Sequence, residues 1–144
     1  MMYFQCSIIN GHNGNHWGPP NHGKQIITVF LRESRRTSDV LLNDDHFTVC
    51  FFPEKYRKDL GILGSKSGKN VPDKINLTAL TPKFIDNAVG FEEASLTFVC
   101  KKIYTHLMTK NELPEFVRDT LYKDGDFHYI FMGEIENAFG TIEE

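Results

Sequence analysis

Four stretches of the chain carry apolar side chains at every second position or more densely: residues 25–31, 46–52, 96–104 and 129–135. All four are rich in β-branched and aromatic residues, and a period of two with that composition predicts β-strands. In the second stretch Phe47, Val49 and Phe51 fall on one face and Cys50 and Phe52 on the other, so this strand is expected to be covered on both sides. A weaker strand is expected over residues 4–9. It leads into residues 10–23, whose glycines, asparagines and histidines predict loop.

A period near 3.6 is rarer. Residues 37–42 form a short helical pattern, and residues 53–63 set Tyr56, Leu60 and Leu63 on one face with Arg57 and Lys58 elsewhere. A third helix is expected over residues 114–121, because proline is tolerated in a first turn whose N–H groups have no partner anyway. Residues 122–126, with Gly125, then turn into the last strand. The pattern predicts an antiparallel β-barrel with short helical insertions.

The chain has 144 residues, of which 40 % are hydrophobic. That is enough for one sizeable core and short for two, so residues 1–144 are expected to form a single domain. Sixteen basic against nineteen acidic side chains leave a charge of −3, which gives neither nucleic acid nor an anionic membrane a reason to bind. No apolar run is long enough to span a bilayer, and the first ten residues lack the pattern of a secretory signal. A cytoplasmic location is the expectation. Cys6, Cys50 and Cys100 are odd in number and widely spaced, as reduced core thiols are.

Candidate chemistry begins where the strand over residues 25–31 ends. Arg32, Glu33, Ser34, Arg35, Arg36 and Thr37 lead into a short helix, offering guanidinium forks, hydroxyls and the N–H groups of a helix start together. That set suits a phosphate; the plainer alternative is a capped helix with solvated arginines. A second loop, Gly64-Ser65-Lys66-Ser67-Gly68-Lys69, allows close backbone approach and supplies donors, without the spacing of a P-loop. Each is a weak phosphate signal alone. They reinforce each other only if the fold brings them together.

Taken in order, Arg32 to Thr37, the run Phe47-Thr48-Val49-Cys50-Phe51-Phe52-Pro53-Glu54-Lys55-Tyr56, the Gly64 to Gly68 loop with Asp73-Lys74, Phe91-Glu92-Glu93-Ala94, Cys100-Lys101-Lys102-Ile103-Tyr104, and Asp124-Gly125-Asp126-Phe127-His128 before Gly133-Glu134-Ile135 resemble flavoredoxin-type flavin reductases. The resemblance covers about residues 25–135. It implies a mainly β, Greek-key-like FMN-binding split barrel that forms a homodimer, with FMN near the subunit interface and NADH or NADPH as electron donor. It further implies phosphate contacts from Arg32, Ser34, Arg35 and Thr37, and a cofactor-binding lysine at Lys66, flanked by Ser65, Ser67 and Gly68. Trp17 and His106 are the candidates for contact with the flavin ring.

Residues 1–24 are divergent or shortened relative to that family. Where it has Asn-x-Met-Thr-x-Ser-Trp facing the ring, this chain has Gly11-His12-Asn13-Gly14-Asn15-His16-Trp17-Gly18. A non-catalytic flavin-binding protein or a degenerate split-barrel dimer therefore stands beside the oxidoreductase as an alternative. His12, His16 and His22 suggest a third, a metal-binding loop, since imidazoles at short spacing are frequent ligands of zinc, nickel or copper. No helix is expected there to align them.

Overall fold

The computed structural model of the protein describes residues 25–85 and 87–140. Along the chain these form β1 (Ile26–Arg32), α1 (Arg36–Asn43), β2 (His46–Phe51), α2 (Arg57–Ser65), β3 (Pro82–Ile85), β4 (Ala88–Phe91), β5 (Leu96–Leu107), α3 (Glu115–Leu121) and β6 (His128–Gly140). Short 3-10 turns stand at Glu54–Tyr56, Lys74–Leu77 and Lys110–Glu112. The expected strand over residues 4–9 and the loop after it lie outside the described residues. Among those described, no helix is long and apolar enough to cross a membrane.

One four-stranded sheet runs β1-β6-β5-β2, and every pairing in it is antiparallel. β5 and β6 are its long members. Their register shifts between Val99 and Cys100 and again between Lys102 and Tyr104, and such bulges bend a strand and deepen its twist. The sheet consequently curls into part of a barrel. Both long strands outrun their hydrophobic patterns, to Leu107 and Gly140, because the end of each is still paired to the start of the other across the ladder.

β2 is buried on both faces, as its two-sided apolar pattern requires. Val49 packs with Val29, Leu41, Phe47, Cys100 and Phe131 inside the curl, whereas Cys50 packs with Leu80 and Phe91 on the other side. The second cover is the expected Tyr56, Leu60 and Leu63 face around α2 together with a hairpin, β3 with β4, that the sequence pattern does not announce. Thr48 fixes it in place, its hydroxyl donating to the Val89 carbonyl at 2.6 Å. Burial raises the pKa of the Cys50 thiol and pushes that of Cys100 up to about 12, so both behave as inert core groups.

Leu41 joins the inner core, which seats α1 on the face of the sheet that carries Val29 and Phe131. Lys102 fastens the far end of that helix by donating to the Leu41 and Leu42 carbonyls at 2.5 and 3.3 Å. A cation belongs there, because the last carbonyls of a helix lack intrahelical donors and carry its negative dipole end. The start of α1 is thereby held at the end of β1.

Candidate phosphate site at the start of helix α1

The residue at the N-cap of α1 makes no side-chain capping bond. That residue is Arg35, in extended conformation, and neither Ser34 nor Thr37 takes the capping role. Ser38, fully buried, instead donates its hydroxyl to the Arg32 carbonyl at 2.7 Å and ties the first turn back to β1. The alternative in which a serine or threonine merely caps the helix therefore does not describe this turn.

The glycine-serine-lysine loop meets this helix start. A Cβ built on Gly68 would lie 3.3 Å from the Arg36 Cβ, and Lys69 pairs with Asp39 of α1 at 3.1 Å. Behind the loop, Lys74 donates to the carbonyls of Leu63 and Lys66 at 2.7 and 2.9 Å. Burial lowers the pKa of its ammonium, and the positive charge of Arg35 lowers it further. Arg35 thus bears on Lys74, and both influences on Lys74 act against its charged form. A place where cations repel one another favours an anion between them. Lys66 itself is exposed at the end of α2, its N–H bonded to the Ile62 carbonyl.

Arg32 and Ser34 are engaged differently from the sequence-based expectation. The Arg32 guanidinium donates to the Asp126 and Leu121 carbonyls at 2.9 and 3.2 Å and lies over the Tyr122 ring at 5.4 Å. Ser34 donates both its N–H and its hydroxyl to the Asp126 carboxylate, at 2.9 and 2.6 Å. Burial alone would raise the pKa of Asp126, but these two bonds, with Arg32 and His128 nearby, bring it below the ordinary carboxylate value. An internal carboxylate holds the donors here. Their work in this structure is to fasten the segment before β6 to the segment before α1.

Trp17 lies outside the described residues, as do His12, His16 and His22. His106 is exposed near the end of β5, stacked on Tyr104 at 6.3 Å. It stands in a row with Ile130 and Phe30, on the sheet face opposite the one that α1 covers, because successive strand residues alternate sides. Thr37 lines a small cleft with Val40, Asp44, His46 and Asn87. Its volume of about 60 Å³ is far below what an isoalloxazine needs. Among the described residues, no three histidine, cysteine or acidic side chains gather as metal ligands would.

Hydrophobic periodicity gives no signal that Asp126 and His128 stand beside Arg32 and Ser34. His128 accepts or donates at Nδ1 with the Tyr122 hydroxyl, 2.7 Å away. Burial lowers the pKa of its imidazole, Arg32 lowers it further, and Asp126 pulls the other way. With a folded pKa below the unfolded value near ~6.5, the contribution of His128 to stability is present above that value and is lost as pH falls through the folded pKa. We expect His128→Phe to flatten the loss of stability just below pH ~6.5, measured as urea midpoints across pH; an unchanged profile would remove His128 as its cause.

No family model matches the sequence, and no curated protein matches it. Among solved structures the chain is similar to flavoredoxin from Methanosarcina acetivorans, at 22 % identity and a TM-score of 0.63, over 83 % of this chain and 54 % of that one. It is similar to an FMN-binding protein from Thermus thermophilus, solved with bound p-hydroxybenzaldehyde, at 18 % identity and a TM-score of 0.63, over 83 % and 57 %. An NADH:FAD oxidoreductase from Streptomyces globisporus matches at 15 % identity and a TM-score of 0.57, over 83 % and 60 %. The chain spans little more than half the length of these proteins, and it has the split-barrel fold that they share.

Proposed function

We propose that the protein binds FMN and serves as a flavin-dependent oxidoreductase, with NADH or NADPH as electron donor. The observation that carries this reading is the meeting of the two phosphate-type loops: Gly68 against Arg36 and Lys69 on Asp39. The donor set fits a phosphomonoester. Arg35, Thr37, Ser65, Lys66, Ser67 and Gly68 are its ligands in this reading, while Arg32 and Ser34 hold the segment in shape through Asp126. The flavin supplies hydride acceptance and electron delivery when bound; the chain's own part is binding, orientation and shielding.

A homodimer belongs to the same reading. Phe30, Ile130 and His106 form one row of the outer sheet face, and Thr28, Met132 and Tyr104 the next. Phe30 is 58 % and Tyr104 45 % exposed there, and apolar side chains gathered on one face suit a partner. Closing on that face puts His106 at the subunit seam, near FMN, with Trp17 as the second ring contact. The departure at Gly11 to Gly18 supports the runner-up, a flavin-binding protein without turnover.

Purified protein is expected to be yellow, to absorb near ~450 nm as oxidised flavins do, and to bleach on addition of NADH or NADPH. Colour without bleaching would favour the non-catalytic reading. Protein that stays colourless after reconstitution with FMN would overturn both.

A further inference from the structure

The ammonium of Lys74 closes a loop of the chain. From the 3-10 turn at Lys74–Leu77 it reaches back to the carbonyls of Leu63, at 2.7 Å, and Lys66, at 2.9 Å. These are acceptors at the end of α2, where carbonyls have no intrahelical donor. Between the ends of this clasp lie Gly64, Ser65, Lys66, Ser67, Gly68 and Lys69. The outer side of the same loop is pressed on α1, through Gly68 on Arg36 and Lys69 on Asp39.

We infer that Lys74 is a positioning residue: by clasping the end of α2 it holds the Lys66 to Gly68 loop against the start of α1, and so sets the preference of the site for a phosphorylated ligand. The inference rests on the phosphate reading above. Two features separate Lys74 from an ordinary helix-end lysine. Its acceptors are neutral carbonyls rather than a carboxylate, and Arg35 acts on it as a charge of the same sign. And one carbonyl stands just before the loop and the other within it, so the two bonds hold the backbone path there, which a side chain pointing into solvent could not do. A clasp of this kind lowers the entropy that the loop would lose on ligand binding.

The test compares wild type, Lys74→Met and Lys74→Arg. Lys74→Met is expected to lose ~10-fold or more in FMN affinity, the scale of a charge-assisted bond, while riboflavin changes by less than about twofold. Lys74→Arg, which keeps a cation that can reach two carbonyls, is expected to recover most of the loss. Without any ligand, hydrogen exchange of the amides of residues 66–69 is expected to speed up in Lys74→Met and not in Lys74→Arg. Equal losses for FMN and riboflavin, or unchanged exchange in that loop, would overturn the inference and leave the functional reading standing. Wild type that binds neither FMN nor inorganic phosphate would overturn the functional reading, whereas the exchange measurement still decides whether Lys74 clasps the loop. Should Lys74→Met not fold, Lys74→Gln, which keeps a polar side chain without the charge, takes its place: faster exchange over residues 66–69 with a selective loss of FMN supports the clasp, and wild-type exchange overturns it.

Discussion

Arg35→Ala is expected to weaken FMN binding by about ten- to a hundredfold and riboflavin binding by less than twofold. Arg35 ends the turn after β1 and occupies the N-cap position of α1, where its own side chain makes no capping bond. It is half-buried, so the field of its guanidinium is less screened than that of a surface arginine, and Lys74 registers that field. A phosphate placed there gains a bidentate partner, a helix start and the loop around Gly68 together. Riboflavin lacks the phosphate and feels none of these. Lys66→Ala is expected to act in the same direction by only a few fold, since its side chain is exposed and solvent screens it. Titration of flavin fluorescence against each variant separates the outcomes, and equal losses for both ligands would refute the phosphate assignment.

Why this pair of loops was visible in the sequence, and other parts were not, follows from the range of each interaction. Strands β1, β2, β5 and β6 announce themselves because burial acts on every second residue, and β2 even shows that both its faces are covered. The β3 and β4 hairpin does not. Each strand has four residues, β3 begins with a proline, and Phe84 is 77 % exposed, so its order comes from packing on β2 rather than from its own pattern. Arg32 and Ser34 are legible as phosphate donors by type alone. That Asp126 meets them depends on β1 pairing with β6, Arg32 opposite His128, which joins residues about ninety positions apart. Residue type shows what a group can do, and strand register decides which group it meets.

Register also explains the second large effect. Gly133→Ala is expected to cost roughly 3 kcal/mol or more of folding stability, at the upper end of overpacking, and to lower the melting temperature by about 10 °C. Gly133 lies in the middle of β6, opposite Ile27 of β1 and Lys102 of β5, so a strand on each side fixes its backbone. A Cβ there would stand 2.5 Å from the Phe47 ring atoms Cε1 and Cζ and 2.8 Å from the Cys100 Cβ. Neither neighbour can yield cheaply: Phe47 is buried in the inner core against Val29, Val49 and Phe131, and the Cys100 Cβ is fixed to the backbone of β5. Shrinking the ring should relieve the clash. In the double variant Phe47→Leu with Gly133→Ala, the two losses are expected to sum to less than their separate values, a coupling that neighbours in contact show and distant sites do not. Urea denaturation of the two single variants and the double variant measures it. Strict additivity, or a melting temperature for Gly133→Ala within about 2 °C of wild type, would mean that the aromatic ring does not press on this strand.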